Sequence, residues 1–194
     1  MSVQEVKAQK EFWYPPGGIL IWMIVLTELV TFIAGLSVYL YERRSSPDLF
    51  HASQSLLDQE VGVILTLLLL SGGYFVARST QALDADQKEK SVRSLWMGIG
   101  MGVIFLGLKG FDYFGKFSEG LTLRYDSFFS YYWLIGGFHF LHVLTAVILL
   151  ILMNFAIKRG SIEREDVIAG AVFWHLCDLI WLFVYPVFYL LGQA

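Results

Sequence analysis

Five stretches of the chain are nearly free of charge, and each is long enough as a helix to cross a bilayer core about 30 Å thick, which takes roughly 20 predominantly apolar residues. They cover approximately residues 17–41, 60–77, 95–115, 128–157 and 167–191. No segment between them approaches the 50 residues or so that a separate soluble domain needs. The pattern predicts an all-α integral membrane protein: a polar tail over 1–16, then a single five-helix bundle over 17–194. The second run carries no charge from Val61 through Ala77 and is bracketed by Asp58, Glu60 and Arg78, so it is expected to span with little tilt. The third loses its charge-free character after Leu108, so Lys109 and Asp112 must lie near one end or face protein.

Composition agrees with the pattern. Of 194 residues, 56% are hydrophobic and only 16% charged, whereas soluble domains are about 25% charged. The net charge of -3 comes without any broad basic face, which sets aside nucleic acid as a partner. Cys177 is the single cysteine, so neither an internal disulfide nor a cysteine zinc cage can form within one chain. Met1 to Glu11 mixes acidic and basic residues and runs into Phe12-Trp13-Tyr14-Pro15-Pro16. That stretch lacks the apolar core and cleavage site of a signal peptide, so the first run is expected to stay in the mature protein.

Charge also sets an orientation. Nine Lys and Arg residues fall in the tail, the 78–94 connection and the 158–164 connection, against four on the other side, Arg43, Arg44, Lys116 and Arg124. Cytoplasmic loops carry the excess, which predicts the N-terminus inside and the C-terminus outside. Pro15 and Pro16 suit the start of the first helix. Pro186 is expected to bend the fifth, because it cannot donate to the carbonyl of Leu182. Gly98 and Gly102 have the spacing that lets membrane helices approach closely. The stretch from Arg78 to Ser94, rich in Asp, Gln, Lys and Glu, reads as a solvated loop.

Polar residues inside the apolar runs carry the functional information, because a charge at the bilayer centre costs about 2.5 to 3.5 kcal/mol on insertion scales. Glu28 stands near the middle of the first run, flanked at helical spacing by Val25, Thr31, Phe32 and Gly35. It reads either as part of a proton or gas route or a subunit contact, or as a neutral, hydrogen-bonded structural acid. His139 and His142 lie three residues apart on one face of the fourth helix, and His175 and Asp178 share a face of the fifth with Trp181 or Leu182 and Tyr185. With Lys109 and Asp112 they suggest one internal or interfacial network in which carboxylates offset Lys109 and the imidazoles. Haem or metal ligation is the rival. His139 and His142 are too close to serve two haem layers, although one haem between either of them and His175 stays geometrically open. His51 has no visible partner and no assigned role.

Two of these segments carry a resemblance. Gly136 to Val143, GGFHFLHV, is similar to the Gly-x-His-x-x-His-Val element of haem-copper oxidase subunit III, and Phe173 to Leu182, FWHLCDLIWL, resembles the Trp-His-x-x-Asp-x-x-Trp element of the same family. Leu26 to Phe32, LTELVTF, resembles its helix with a buried acid, and Leu65 to Gly72, LTLLLLSG, the helix that follows. Lys109 and Tyr113 fall where the family often has a polar and aromatic helix end. The likeness spans most of 17–192 and fits the shorter, five-helix members, which accompany quinol oxidases, some cytochrome c oxidases and nitric oxide reductases. Cys177 and Pro186 depart from plainly apolar positions, which bears on the local shape of the fifth helix.

The resemblance implies a chain without catalytic residues, metal, haem or copper of its own. Its partners would be subunit I and the other subunits of a bacterial cytoplasmic-membrane oxidase, which hold the haems and copper, together with membrane phospholipids. It also implies a role in stabilising subunit I, proton uptake, lipid binding and oxygen access during aerobic electron transport. Glu28 would be the family's buried, carbodiimide-reactive acid. His139, His142, His175, Asp178, Trp181, Lys109 and Tyr113 would be structural, lipid or subunit-contact residues.

Overall fold

A computed structural model describes residues 15–191; the polar tail before Pro15, with Lys7 and Lys10, lies outside the described residues. Five helices are long and apolar enough to cross a membrane. They are α1 (Ile19–Ser45), α3 (Gln59–Asp84), α4 (Lys88–Ser118), α5 (Ser127–Arg159) and α6 (Arg164–Leu190). A short α2 (Pro47–Gln54), absent from the sequence expectation, joins α1 to α3 and has its proline in the first turn, where a missing N–H costs nothing. No strand occurs among the described residues.

The helices outrun the apolar runs, and one expectation needs correcting. The 78–94 stretch is no loop: α3 continues to Asp84 and α4 begins at Lys88. Gln, Ala, Lys and Glu are strong helix formers with or without lipid around them, so the helices continue beyond the charge-free runs. The turn between them is closed by Gln87 N–H donating to Ala82 O and Asp86 N–H to Leu83 O, with Asp86 in the left-handed conformation. Glycine takes the same position after α4 and α5, at Gly120 and Gly160. The starts of α3 and α5 are capped by carboxylates: Asp58 accepts from the Glu60 and Val61 amides, and Asp126 from that of Phe129.

Loops segregate to the two ends of the bundle as the charge count assumed. Asp84 at the end of α3 accepts from Arg164 at the start of α6, at 3.0 Å from Nη2. At the opposite end Ser53 donates to Asp126, and Arg43 to the carbonyl of Leu191. Aromatic rings fill that second end: Tyr39 lies 4.8 Å from Phe188 and 5.3 Å from Phe50, centroid to centroid.

Packing is uneven. The α3–α4 hairpin is tight because small residues face each other; a Cβ on Gly98 would sit 3.3 Å from the Gly72 carbonyl oxygen. Gly102 faces Val147 of α5 and Trp174 of α6. By contrast α1 buries only Ile21, Val25, Phe32, Leu36 and Tyr39, one narrow seam at helical spacing, and leaves Leu20, Met23, Leu26, Val30 and Ile33 exposed. At Pro186, where a bend is expected, the helix passes into a π-helical turn, Pro186–Leu190. A second π-helical turn, Tyr132–Gly136 in α5, has no sequence signal of its own.

Candidate functional site

The intramembrane polar side chains separate into distinct clusters rather than one network. The first joins α1 to α5. Glu28 Oε2 lies 3.2 Å from His142 Nε2, at ion-pair distance but without the alignment of a hydrogen bond. His142 Nδ1 is 2.8 Å from the Phe138 carbonyl. A carbonyl only accepts, so Nδ1 carries a proton and Nε2 faces the acid. Phe32, Phe138 and Phe173 surround the imidazole at 5.7, 4.5 and 6.2 Å between centroids. A Glu28→Gln side chain would present an amide N–H to Nε2. It is expected to change stability by about 1 kcal/mol or less, read as the unfolding midpoint of the purified chain in detergent; loss of the protein on the scale of a proline insertion would show the carboxyl to be structurally required.

The second cluster clamps α5 to α6. His139 is buried, and its Nε2 donates to the Cys177 carbonyl at 3.1 Å. Its ring lies 5.2 Å from that of Trp181 and 6.1 Å from Phe105. Trp181 in turn donates through Nε1 to Thr66 Oγ1 of α3 at 2.9 Å. His139 and His142 thus share a helix face but serve different partners.

The third lies on the α3–α6 seam. His175 Nδ1 is 3.4 Å from Asp178 Oδ2. Asp178 packs where only a glycine, Gly73, leaves room for its carboxylate. Asp178 Oδ1 and Trp174 Nε1 are buried without hydrogen-bond partners.

The fourth cluster corrects the expectation that Lys109 and Asp112 join the imidazoles. Lys109, only 2% exposed, donates to Asp112 Oδ2 at 2.9 Å, Tyr132 OH at 2.6 Å and Tyr189 OH at 2.9 Å. It uses all three ammonium donors within this group. Asp112 also accepts from Tyr132 at 2.9 Å and from Lys116. Tyr113 lies under the ammonium, 4.5 Å from ring centroid to Nζ, and packs on Trp133 at 4.7 Å. Lys116 was a loop charge in the sequence reading; here it is buried in the last turn of α4. Its spacing from Asp112, i to i+4, was the signal for its role. Tyr132 and Tyr189 come from other helices and gave none.

An apolar cleft of about 550 Å³ opens between α1, α5 and α6, lined by Ile21, Ile24, Leu149, Leu152, Met153 and Phe173 among others. The clusters do not gather into a metal-binding set: no group of three His, Cys, Asp or Glu side chains suited to an ion occurs among the described residues.

Fold and clusters define a polytopic helical membrane protein whose buried polar groups tie helix to helix. Comparison with known sequences specifies the class further. A profile of the family described as cytochrome c oxidase subunit III matches residues 21–193. A Rickettsia conorii protein named probable cytochrome c oxidase subunit 3 is 30% identical over 142 residues, 69% of this chain and 48% of its own length. Cytochrome c oxidase subunit 3 of Rhipicephalus sanguineus is 32% identical over 136 residues, covering 67% of this chain and 51% of that one. The Arabidopsis thaliana protein of the same name is 28% identical, covering 69% and 50%. The chain belongs to the cytochrome c oxidase subunit III family. It spans about half the length of the curated relatives it matches.

Proposed function

We propose that this chain is the non-catalytic subunit III of a bacterial haem-copper terminal oxidase, oriented with its N-terminus in the cytoplasm. It packs against a subunit I that holds the haems and copper. One observation carries the reading: the imidazoles at membrane depth are engaged by neighbouring protein groups. His139 Nε2 is taken by the Cys177 carbonyl, His142 lies between the Phe138 carbonyl and Glu28, and His175 faces Asp178. Such groups fix helix positions rather than move electrons. The apolar cleft between α1 and α6 suits a phospholipid acyl chain. Glu28 and His142, 3.2 Å apart, lie one turn from Ile24 and Thr145 of its wall, in keeping with a supporting part in proton uptake.

Purified alone, the chain is expected to give a featureless reduced-minus-oxidised spectrum. Extracted gently from its native membrane, it is expected to bring down a haem-copper subunit. A stoichiometric haem band on the isolated chain would favour a small membrane cytochrome b instead. Recovery with nitric oxide reductase in place of an oxygen reductase would move the accessory role to that enzyme.

A further inference from the structure

We infer that the α3–α6 seam at the depth of His175 is the face on which this chain meets a transmembrane helix of the haem-bearing subunit, and that this helix brings a hydrogen-bonding side chain to the imidazole. The inference rests on the proposed subunit role and adds to it the surface and the chemistry of the contact.

His175 lies eleven residues into α6, about 16 Å along a helix rising 1.5 Å per residue, and a longer stretch follows it to Leu190. It is therefore near mid-membrane, beyond the reach of headgroups. Its side chain is 45% exposed. Nδ1 faces Asp178, and Nε2 forms no hydrogen bond among the described residues. Lipid tails offer neither donor nor acceptor, so this surface is satisfied only by protein or water. With Nδ1 protonated toward the Asp178 carboxylate, Nε2 accepts; the matching partner group is a hydroxyl, amide or indole donor.

The surroundings suit a helix. Leu179, Leu182 and Phe183 on α6, and Leu70 and Tyr74 on α3, are exposed apolar side chains around the polar point. Gly73 holds α3 close enough for Asp178 to be buried behind the imidazole. The outer face of α1 makes the contrast. Its hydroxyls Thr27, Thr31 and Ser37 each donate to a carbonyl of their own helix, at 2.9, 2.9 and 2.7 Å. That face is complete against lipid, whereas the seam is not.

The test places a photoreactive benzophenone side chain at Tyr74, Leu179 or, as the contrasting site, Val30, in the complex within native membranes. Crosslinks to the haem-bearing subunit from the first two positions and none from Val30 are expected. Crosslinks from Val30 alone would overturn the inference and leave the subunit role standing. Crosslinks to a second copy of this chain, or only to lipid, would overturn it as well. Should the unmodified chain bring down no haem protein at all, the subunit role would fall and this inference with it. In parallel, His175→Leu is expected to lower recovery of the haem-bearing subunit about three- to tenfold, the range for one hydrogen bond between membrane helices. His175→Gln, which keeps a donor toward Asp178, is expected to restore much of it; the unfolding midpoint of each isolated chain, measured alongside, separates loss of the Asp178 contact from loss of the subunit contact. Full recovery with His175→Leu would overturn the inference.

Discussion

Asp112→Leu is expected to destabilise the bundle by about 3–5 kcal/mol, the cost of removing one partner from a buried ion pair. The geometry makes this position unusually exposed to loss. Among the described residues Asp112 alone is a carboxylate bonded to two buried ammoniums, Lys109 and Lys116, and it also accepts from Tyr132. Without it, two cations of α4 face each other with phenol oxygens as the remaining acceptors for Lys109. Since Lys109 ties α4 to Tyr132 of α5 and Tyr189 of α6, the damage reaches three helices at one end of the bundle. Thermal unfolding in detergent, read by tryptophan fluorescence, measures it. The triple variant Lys109→Met, Asp112→Leu, Lys116→Met is expected to recover most of the loss, because apolar replacement of a whole buried charge group is often neutral. A single variant as stable as the parent would show that the cluster is solvated rather than dry.

The same cluster shows what the sequence could and could not disclose. Lys109, Asp112 and Lys116 stand at i, i+3 and i+7 on one helix face, so their mutual pairing was readable from spacing alone. The two tyrosines were not, because they arrive from helices 20 and 80 residues away in sequence from their partners. Glu28 and His142 were each legible as out of place in lipid, but nothing local said that α1 and α5 bring them to 3.2 Å. Intramembrane polarity marks which residues need partners; only packing decides which partners they get.

Helix limits followed a different rule. Hydropathy located all five spans yet ended α3 too early and began α4 too late, because it measures affinity for lipid and not for helix. Between Arg78 and Ser94 the chain leaves the apolar runs yet stays helical on both sides of a three-residue turn, and Ser79 Oγ, 2.9 Å from Ser91 Oγ, fastens the two helices across it. Conversely, the π-helical turn at Tyr132–Gly136 contains no proline. It ends on Gly136, whose bare Cα face lies against the Tyr113 hydroxyl of α4, a contact from a distant part of the chain.

The glycines of α4 give the second large expected effect, and a control within the same helix. A Cβ at Gly102 would lie 2.6 Å from Val147 Cγ2 and 2.7 Å from a ring carbon of Trp174, which is fully buried. Neither neighbour has open space to retreat into, since Val147 is buried and the indole is wedged beside Gly72. Gly102→Ala is therefore expected to cost about 1–3 kcal/mol, the usual range for overpacking. Gly102→Leu is expected to part α4 from α5 and α6 and abolish recovery of monodisperse protein. At Gly107 and Gly110 an added Cβ meets nothing within 4 Å, so alanine there should leave stability unchanged or raise it by up to about 1 kcal/mol through helix propensity. Four chains, purified in one detergent and melted side by side, decide the matter. If Gly102→Ala unfolds with Gly107→Ala rather than below it, α4 does not approach its neighbours through Gly102, and the tight half of the bundle is held by the Lys109 cluster instead.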